Sequence, residues 1–175
     1  MKTLTEIAKK YNTDKGSYHT FTDFYAEHFD NIRNDVLSLL EIGILRGASL
    51  KMWHDYFINA EIYGIDIASW KHGPLNFNFD EKNLEKLNNF TYVKSGGYYI
   101  LEDLHTSFNP KFTKNDDITT YDVVYQAQKT KKIIKTKYFN DEQHQYLQEN
   151  IDQIIIYKKN PTVFTDSITC IIKKS

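Results

Sequence analysis

Glu41, Gly43 and Gly47 stand between an apolar run, Val36 to Ile42, and a helical pattern marked by Leu50, Trp53, Tyr56 and Phe57. Ile62-Tyr63-Gly64-Ile65-Asp66 then reads as a second strand that ends in a carboxylate. Strand, glycine-bearing turn, helix and acid-tipped strand make the βαβ arrangement that holds an adenosine-containing cofactor. Glycines at 43 and 47 let the backbone turn tightly and lie close to a ligand that a Cβ would push away. Asp66 follows Gly43 by 23 residues, near the roughly 20 at which the second strand's acid reaches ribose hydroxyls.

The spacing is not that of a dinucleotide site. A pyrophosphate wants Gly-x-Gly-x-x-Gly, so that bare amides face its negative charge. Here the order is Glu-x-Gly-x-x-x-Gly, and a glutamate in that place repels phosphate. It suits a cofactor with a nucleoside and a cationic amino-acid arm, as S-adenosylmethionine has. A nicotinamide-dependent oxidoreductase is disfavoured on the same ground. The plain alternative is a strand-to-helix turn in some other α/β protein.

The elements that must position these residues follow from periodicity. Leu4, Ile7, Ala8 and Tyr11 mark the face of a first helix, closed by Asn12-Thr13-Asp14-Lys15-Gly16. Phe21, Phe24, Tyr25 and His28 mark a second. Val36 to Ile42 is the pattern of a strand buried on both faces. Trp70 to Asn78 reads as loop, Glu81 to Asn89 as a short helix and Phe90 to Val93 as a short strand. Gly96 to Asp103 repeats the turn-strand-carboxylate unit. Ile118, Tyr121, Tyr125 and Gln128 share a helical face, and a further helix is expected near Glu142 to Ile151. Ile154 to Tyr157 and Ile168 to Ile172 form an antiparallel hairpin at the chain's end. The expected fold is α/β: a shortened, Rossmann-like parallel sheet around the strands at Val36, Ile62 and Tyr98, with N-terminal helices and the hairpin.

At 175 residues the chain is expected to be a single domain, 1–175, with a helical segment over 1–35 and an α/β core over 36–175. Its net charge of −1 gives no global field for nucleic acid or an acidic membrane. No run approaches the roughly 20 apolar residues of a membrane span, and no signal-peptide core follows Met1. These features predict a cytoplasmic protein. A lone cysteine, Cys170, excludes an internal disulfide and a multi-cysteine zinc site, and its apolar neighbours mark it as a packed side chain. Lys129, Lys131, Lys132, Lys135 and Lys137 crowd nine residues; near-neutral total charge makes them a solvated helix end rather than a phosphate-binding run.

Residues 4 to 67 carry a resemblance. Tyr11-Asn12-Thr13-Asp14-Lys15-Gly16, His19, Phe24-Tyr25, Leu40-Glu41-Ile42-Gly43, Gly47-Ala48-Ser49-Leu50, Trp53, Tyr56-Phe57 and Tyr63-Gly64-Ile65-Asp66 occur in order. Gly96-Gly97-Tyr98-Tyr99-Ile100-Leu101-Glu102-Asp103-Leu104-His105-Thr106-Ser107 continues them. Together they resemble the class I S-adenosylmethionine-dependent O-methyltransferases of the macrocin and mycinamicin sugar-methylating group, over roughly two thirds of the chain. The resemblance implies methyl transfer to a hydroxyl of a sugar or natural product. It places Glu41, Gly43, Gly47, Ser49, Asp66 and His19 at the cofactor, and Asp103 on a magnesium ion, whose hardness suits carboxylate oxygen.

The sequence also departs from that group. Its third and fourth strands and the Asp-Asp-Gly-Ser-His motif, which supplies a metal carboxylate and the base, are missing. Asp116-Asp117 is the only such pair and reads as a helix cap. Either the site is incomplete, or His105 beside Asp103 serves as base. On a continuing strand the two would share a face, and histidine has the pKa for the task. Two functions stay open, a sugar O-methyltransferase with impaired catalysis and an inactive methyltransferase-fold binding or scaffolding protein. A homodimer is expected to cover apolar surface left by the shortened sheet.

Overall fold

The structure, a computed structural model, describes residues 1–65, 90–113, 118–163 and 166–175. Its contacts fall into two units, Met1–Leu75 and Asn76–Ser175.

In the first unit, α1 (Leu4–Tyr11) begins at a capping box in which Thr3 and Glu6 satisfy each other's backbone amides. It ends where Asn12 turns left-handed at φ 52°. The following loop folds back hard: the Thr13 amide donates to Ala8 O at 3.2 Å and the Phe21 amide to Lys15 O at 2.8 Å. Gly16 permits this, because a Cβ there would stand 2.5 Å from the Ala8 Cβ. Helix α2 (Phe21–Phe29) and α3 (Ala48–Tyr56) share an aromatic core with α1. Tyr25, Phe29, Trp53, Tyr56 and Phe57 are all buried, with Trp53 stacked on Phe57 at 5.7 Å between ring centroids.

Buried Arg33 ties the end of α3 down, its Nε donating to Tyr56 O at 2.6 Å and Nη1 to Lys2 O at 2.9 Å. The Tyr56 hydroxyl donates to Asp30 Oδ1 at 2.6 Å. Burial first, then the Asp30 carboxylate, pushes that phenol well above its usual pKa, so it keeps the proton it donates. Strands β1 (Ser38–Ile42) and β2 (Glu61–Ile65) pair in parallel, Glu41 opposite Gly64. A Cβ on Gly64 would lie 2.7 Å from Leu50 Cδ1, so this glycine is what brings α3 close to the strands.

The second unit is built on β5 (Ile168–Lys174), whose residues Ile168 to Ile172 are almost wholly buried. It lies between β3 (Tyr98–Leu101) and β4 (Ile151–Lys158), antiparallel to both. Helices α4 (Thr120–Thr130) and α5 (Asp141–Asn150) begin at further capping boxes, Thr119 with Asp122 and Asn140 with Gln143. Their residues Tyr121, Val124 and Leu147 join Phe90, Leu101, Ile154 and Ile172 in the core. Lys174 closes the unit: its ammonium donates to Val93 O at 2.7 Å and to the Tyr146 hydroxyl. Cys170 is buried and free, and burial pushes its thiol pKa up.

The Rossmann-like α/β class, the N-terminal helices and the hairpin are as the sequence predicts; several details differ. Strand β1 buries one face only: Leu40 and Ile42 are 54% and 61% exposed, with Tyr63 beside Leu40 at 52%. Among the described residues β1 and β2 have only each other as strand neighbours, and α3 packs on the side away from these three. The strand at Tyr98 does not extend a parallel sheet; its partner is β5, antiparallel. Residues 90–92 form a helical turn rather than a strand. In α2, Phe29 is buried where His28 is only half-buried, and in α4 Tyr125 is exposed while Val124 is buried. The five lysines at 129 to 137 are all exposed. The expectations for Trp70 to Asn78, Glu81 to Asn89 and Asp116-Asp117 lie outside the described residues.

If Gly16 sets the loop against α1, Gly16→Ala overpacks a buried helix face and lowers stability by about 1–3 kcal/mol. Thermal melting should show a fall in midpoint, and an unchanged midpoint would contradict this packing.

Candidate functional site

The turn from β1 to α3 holds three left-handed residues in five: Gly43 at φ 86°, Leu45 at φ 49° and Gly47 at φ 74°. Leucine pays for this conformation as glycine does not, at about 1–3 kcal/mol for a residue held in a sparsely populated region, and such strain gathers at ligand-binding turns. Among the described residues, chain neighbours aside, no atom lies within 4 Å of a Cβ built on Gly43 or Gly47. The sequence places a ligand above both glycines; among the described residues a Cβ there meets open space, and the positive φ at each itself demands glycine. Gly47 caps α3, and no side chain caps that helix end. Ser49 is buried in its first turn.

Glu41 points to the α3 side of the sheet, and its Oε1 lies 3.3 Å from Lys15 Nζ. The side chains are 13% and 9% exposed. A pair this far from water sustains a large desolvation penalty, and removing one partner costs about 3–5 kcal/mol. In the sequence Lys15 stood only within the motif Tyr11 to Gly16 that carries the resemblance, with no partner assigned to it. Gly16 beside it was the available signal, since a glycine there allows the close approach that turns Lys15 inward. His19 sits in the same loop, its ring stacked on Phe21 at 5.1 Å and its Nε2 3.7 Å from Asp14 Oδ2. The structure thus ties the His19 loop to the Glu41 turn through Lys15. Asp66 lies outside the described residues.

These features fit the amino-acid arm of S-adenosylmethionine: a carboxylate for its ammonium, and a glycine turn whose upper side is open. The adenosine half would call on Asp66.

In the second unit β3 ends at Leu101, Asp103 turns left-handed at φ 60°, and residues 104–108 form a 3-10 helix. Of the two placements open for His105, a continuing strand or the loop after it, the structure shows the turn after the strand. The two side chains meet nonetheless, His105 Nδ1 lying 3.9 Å from Asp103 Oδ1. That exceeds hydrogen-bond length, and Nδ1 is buried with no hydrogen-bond partner among the described residues. Asp103 is 59% exposed along its side chain. Among the described residues no three histidine, cysteine or acidic side chains converge on a point where a metal would sit. Asp103 by itself does not make a magnesium site among the described residues. No helix among the described residues is long and apolar enough to cross a membrane.

No family model matches the sequence. Among known proteins, the chain is 31% identical over 157 residues to demethylmacrocin O-methyltransferase of Streptomyces fradiae, covering 65% of this chain and 39% of that protein. It is 29% identical over 150 residues to L-olivosyl-oleandolide 3-O-methyltransferase of Streptomyces antibioticus, covering 62% and 39%. Mycinamicin VI 2''-O-methyltransferase of Micromonospora griseorubida is likewise 29% identical, covering 62% and 38%. Among solved structures, the MycE methyltransferase of the mycinamycin biosynthetic pathway, in complex with magnesium and SAH, superposes with a TM-score of 0.57 at 21% identity, over 99% of this chain and 49% of that one. The likeness establishes a Rossmann-like methyltransferase fold. The chain spans about two fifths of the length of these curated relatives. Its homologues are the macrocin, oleandolide and mycinamicin sugar O-methyltransferases.

Proposed function

We propose that the chain is an S-adenosylmethionine-dependent O-methyltransferase that acts on a hydroxyl of a sugar or glycosylated natural product, with weakened catalysis. The observation that carries the reading is the strained turn Gly43 to Gly47, open above both glycines, with Glu41 at its foot. When bound, S-adenosylmethionine supplies an electrophilic methyl group on a sulfonium. Glu41, Gly43, Gly47 and Ser49 line its place, His19 stands in the adjoining loop, and Asp66 takes the ribose hydroxyls. His105 is the proposed base for the acceptor hydroxyl, with Asp103 3.9 Å from its Nδ1. The relatives' names, a demethylmacrocin O-methyltransferase and a rhamnosyl-tetracenomycin-C 3'-O-methyltransferase among them, support the acceptor class.

A second reading, a cofactor-binding or scaffolding protein without turnover, is favoured by the lack of a described metal-ligand cluster and of Asp-Asp-Gly-Ser-His in the sequence. The proposal treats residues 1–175 as one domain, acting in the cytoplasm. It includes a homodimer, on the exposure of Leu40, Ile42 and Tyr63 along one face of the parallel pair; a monomer in light scattering at high concentration would remove that part.

Calorimetry should detect binding of S-adenosylmethionine or SAH, its demethylated product. Gly43→Val should abolish it, because a β-branched residue is a strong outlier at positive φ and its side chain fills the open space. Asp66→Ala should weaken it by about 1.5–3 kcal/mol, the loss of hydrogen bonds to a charged group. Unchanged dissociation constants in both variants would place the site elsewhere.

A labelled-methyl assay on sugar-bearing acceptors separates the two readings. Turnover that falls about 10²–10⁴-fold in His105→Ala, and also falls in Asp103→Asn, supports the enzyme. Cofactor binding without turnover on any acceptor selects the second reading.

A further inference from the structure

A row of aromatic rings in the second unit begins one turn from His105. Phe108 packs on Tyr121 with 4.8 Å between ring centroids, and Tyr121 is stacked on Tyr125 at 5.6 Å with 14° between the planes. Tyr121 is buried, whereas Phe108 and Tyr125 stay 36% and 42% exposed. Ammonium groups rim the row: Lys158 Nζ lies 5.0 Å from the Tyr121 centroid and Lys129 Nζ 5.6 Å from that of Tyr125. An open apolar patch with a polar rim is the mark of a ligand-binding surface.

The patch stands where a sheet of this kind takes its ligands. Strands β3 and β4 both run antiparallel to β5 and so parallel to each other, with Leu101 opposite Cys170 and Lys158 opposite Ile168. Their carboxyl ends therefore open on one edge of the sheet, the side on which open α/β sheets bind ligands. Asp103, His105 and Phe108 follow the end of β3, and Lys158 is the last residue of β4. The Tyr121 amide donates to Ser107 Oγ at 3.3 Å, which ties the start of α4 to the 3-10 helix. In such a helix residues three apart eclipse one another, with a rise of about 6 Å. His105 and Phe108 are so spaced.

We propose that Phe108 and Tyr125, with Tyr121 between them, are the docking platform for a glycoside acceptor, its sugar ring lying on Phe108 and its aglycone reaching over Tyr125. A pyranose turns C–H groups to one face and hydroxyls to its rim. The negative face of an aromatic ring attracts such polarised hydrogens, and lysine ammonium groups at the rim donate to sugar oxygens. A hydroxyl at the edge of a ring seated on Phe108 then points along the 3-10 helix toward His105. The inference rests on the methyltransferase reading above and adds to it the residues that hold the acceptor and the part of the acceptor each one meets. Packing alone would ask of Phe108 only apolar bulk against Tyr121, which leucine also supplies.

The test is calorimetric titration of the full chain, first with SAH and then, with SAH present, with 4-nitrophenyl α-L-rhamnopyranoside and methyl α-L-rhamnopyranoside, the nitrophenyl group standing in for an aglycone. Wild type should bind the nitrophenyl glycoside roughly 3–10-fold more tightly than the methyl glycoside, the worth of one aromatic contact. Phe108→Leu should weaken both glycosides by about 3–10-fold and leave SAH affinity unchanged, and Phe108→Tyr should keep all three. Tyr125→Leu should erase the preference for the nitrophenyl glycoside and leave the methyl glycoside bound as in wild type. A Phe108→Leu protein that binds both glycosides as wild type does, or a wild type that binds SAH but neither glycoside at millimolar concentration, overturns the inference and leaves the cofactor reading standing. Should Phe108→Leu not fold, the exposed Tyr125→Leu decides: an unchanged preference overturns it. Failure of wild type to bind SAH at all overturns the cofactor reading and this inference with it.

Discussion

Two opposite charges almost removed from water, Lys15 and Glu41, fix the arrangement of the first unit's candidate site. Neither can be withdrawn without stranding the other in a poorly solvated place, so the loop after α1 and the end of β1 are held in one relation. The loop reaches that position because Gly16 has no side chain to strike Ala8. The strand reaches it because Gly64, opposite Glu41, lets Leu50 and with it α3 settle against the sheet. With both ends set, the five residues from Gly43 to Gly47 must reverse direction in a left-handed path, and a leucine is carried through it at φ 49°. The left-handed path of the turn follows from that closure.

The catalytic half is less complete. Asp103 and His105 come within charge-pairing distance on a left-handed residue and a 3-10 turn, which hold direction less firmly than a strand. Nothing else among the described residues joins them as a metal ligand. Only 36 positions separate Asp66 from Glu102, and each further parallel strand needs a crossover of a dozen or more. By that spacing at most one short further strand fits between them, where the resemblance would place two strands with a base and a second carboxylate. Binding of a cofactor and transfer from it are separable properties here, and the first has the stronger physical support.

Much of this was legible in the sequence where a residue's role depends on its near neighbours. The 3.6-residue spacing of Leu4, Ile7 and Ala8 and the run Trp53, Tyr56, Phe57 identified buried faces, and Gly43 and Gly47 identified the turn. Roles set by distant partners were hidden. Lys15 meets Glu41 across 26 positions of chain, and no local pattern records that. Leu40 and Ile42 looked doubly buried because an apolar run is silent about which neighbours exist to cover it. Tyr98 to Leu101 read as a further parallel strand because the pattern of a strand does not say which strand will pair with it; β5, over 60 residues on, did. Whether the strand continued to His105 or gave way to a loop stayed open, since Asp103 gave no local sign of its left-handed turn.

The central claim is that the turn after β1 and the loop carrying Lys15 form one ligand site. Amide hydrogen exchange, recorded with and without saturating SAH, addresses it directly, because ligand binding slows the local openings through which amides exchange. The account predicts slower exchange in residues 13–19 and 41–49 together, with little change across α5 and β4. Protection confined to other segments, or none in the presence of SAH, would contradict it.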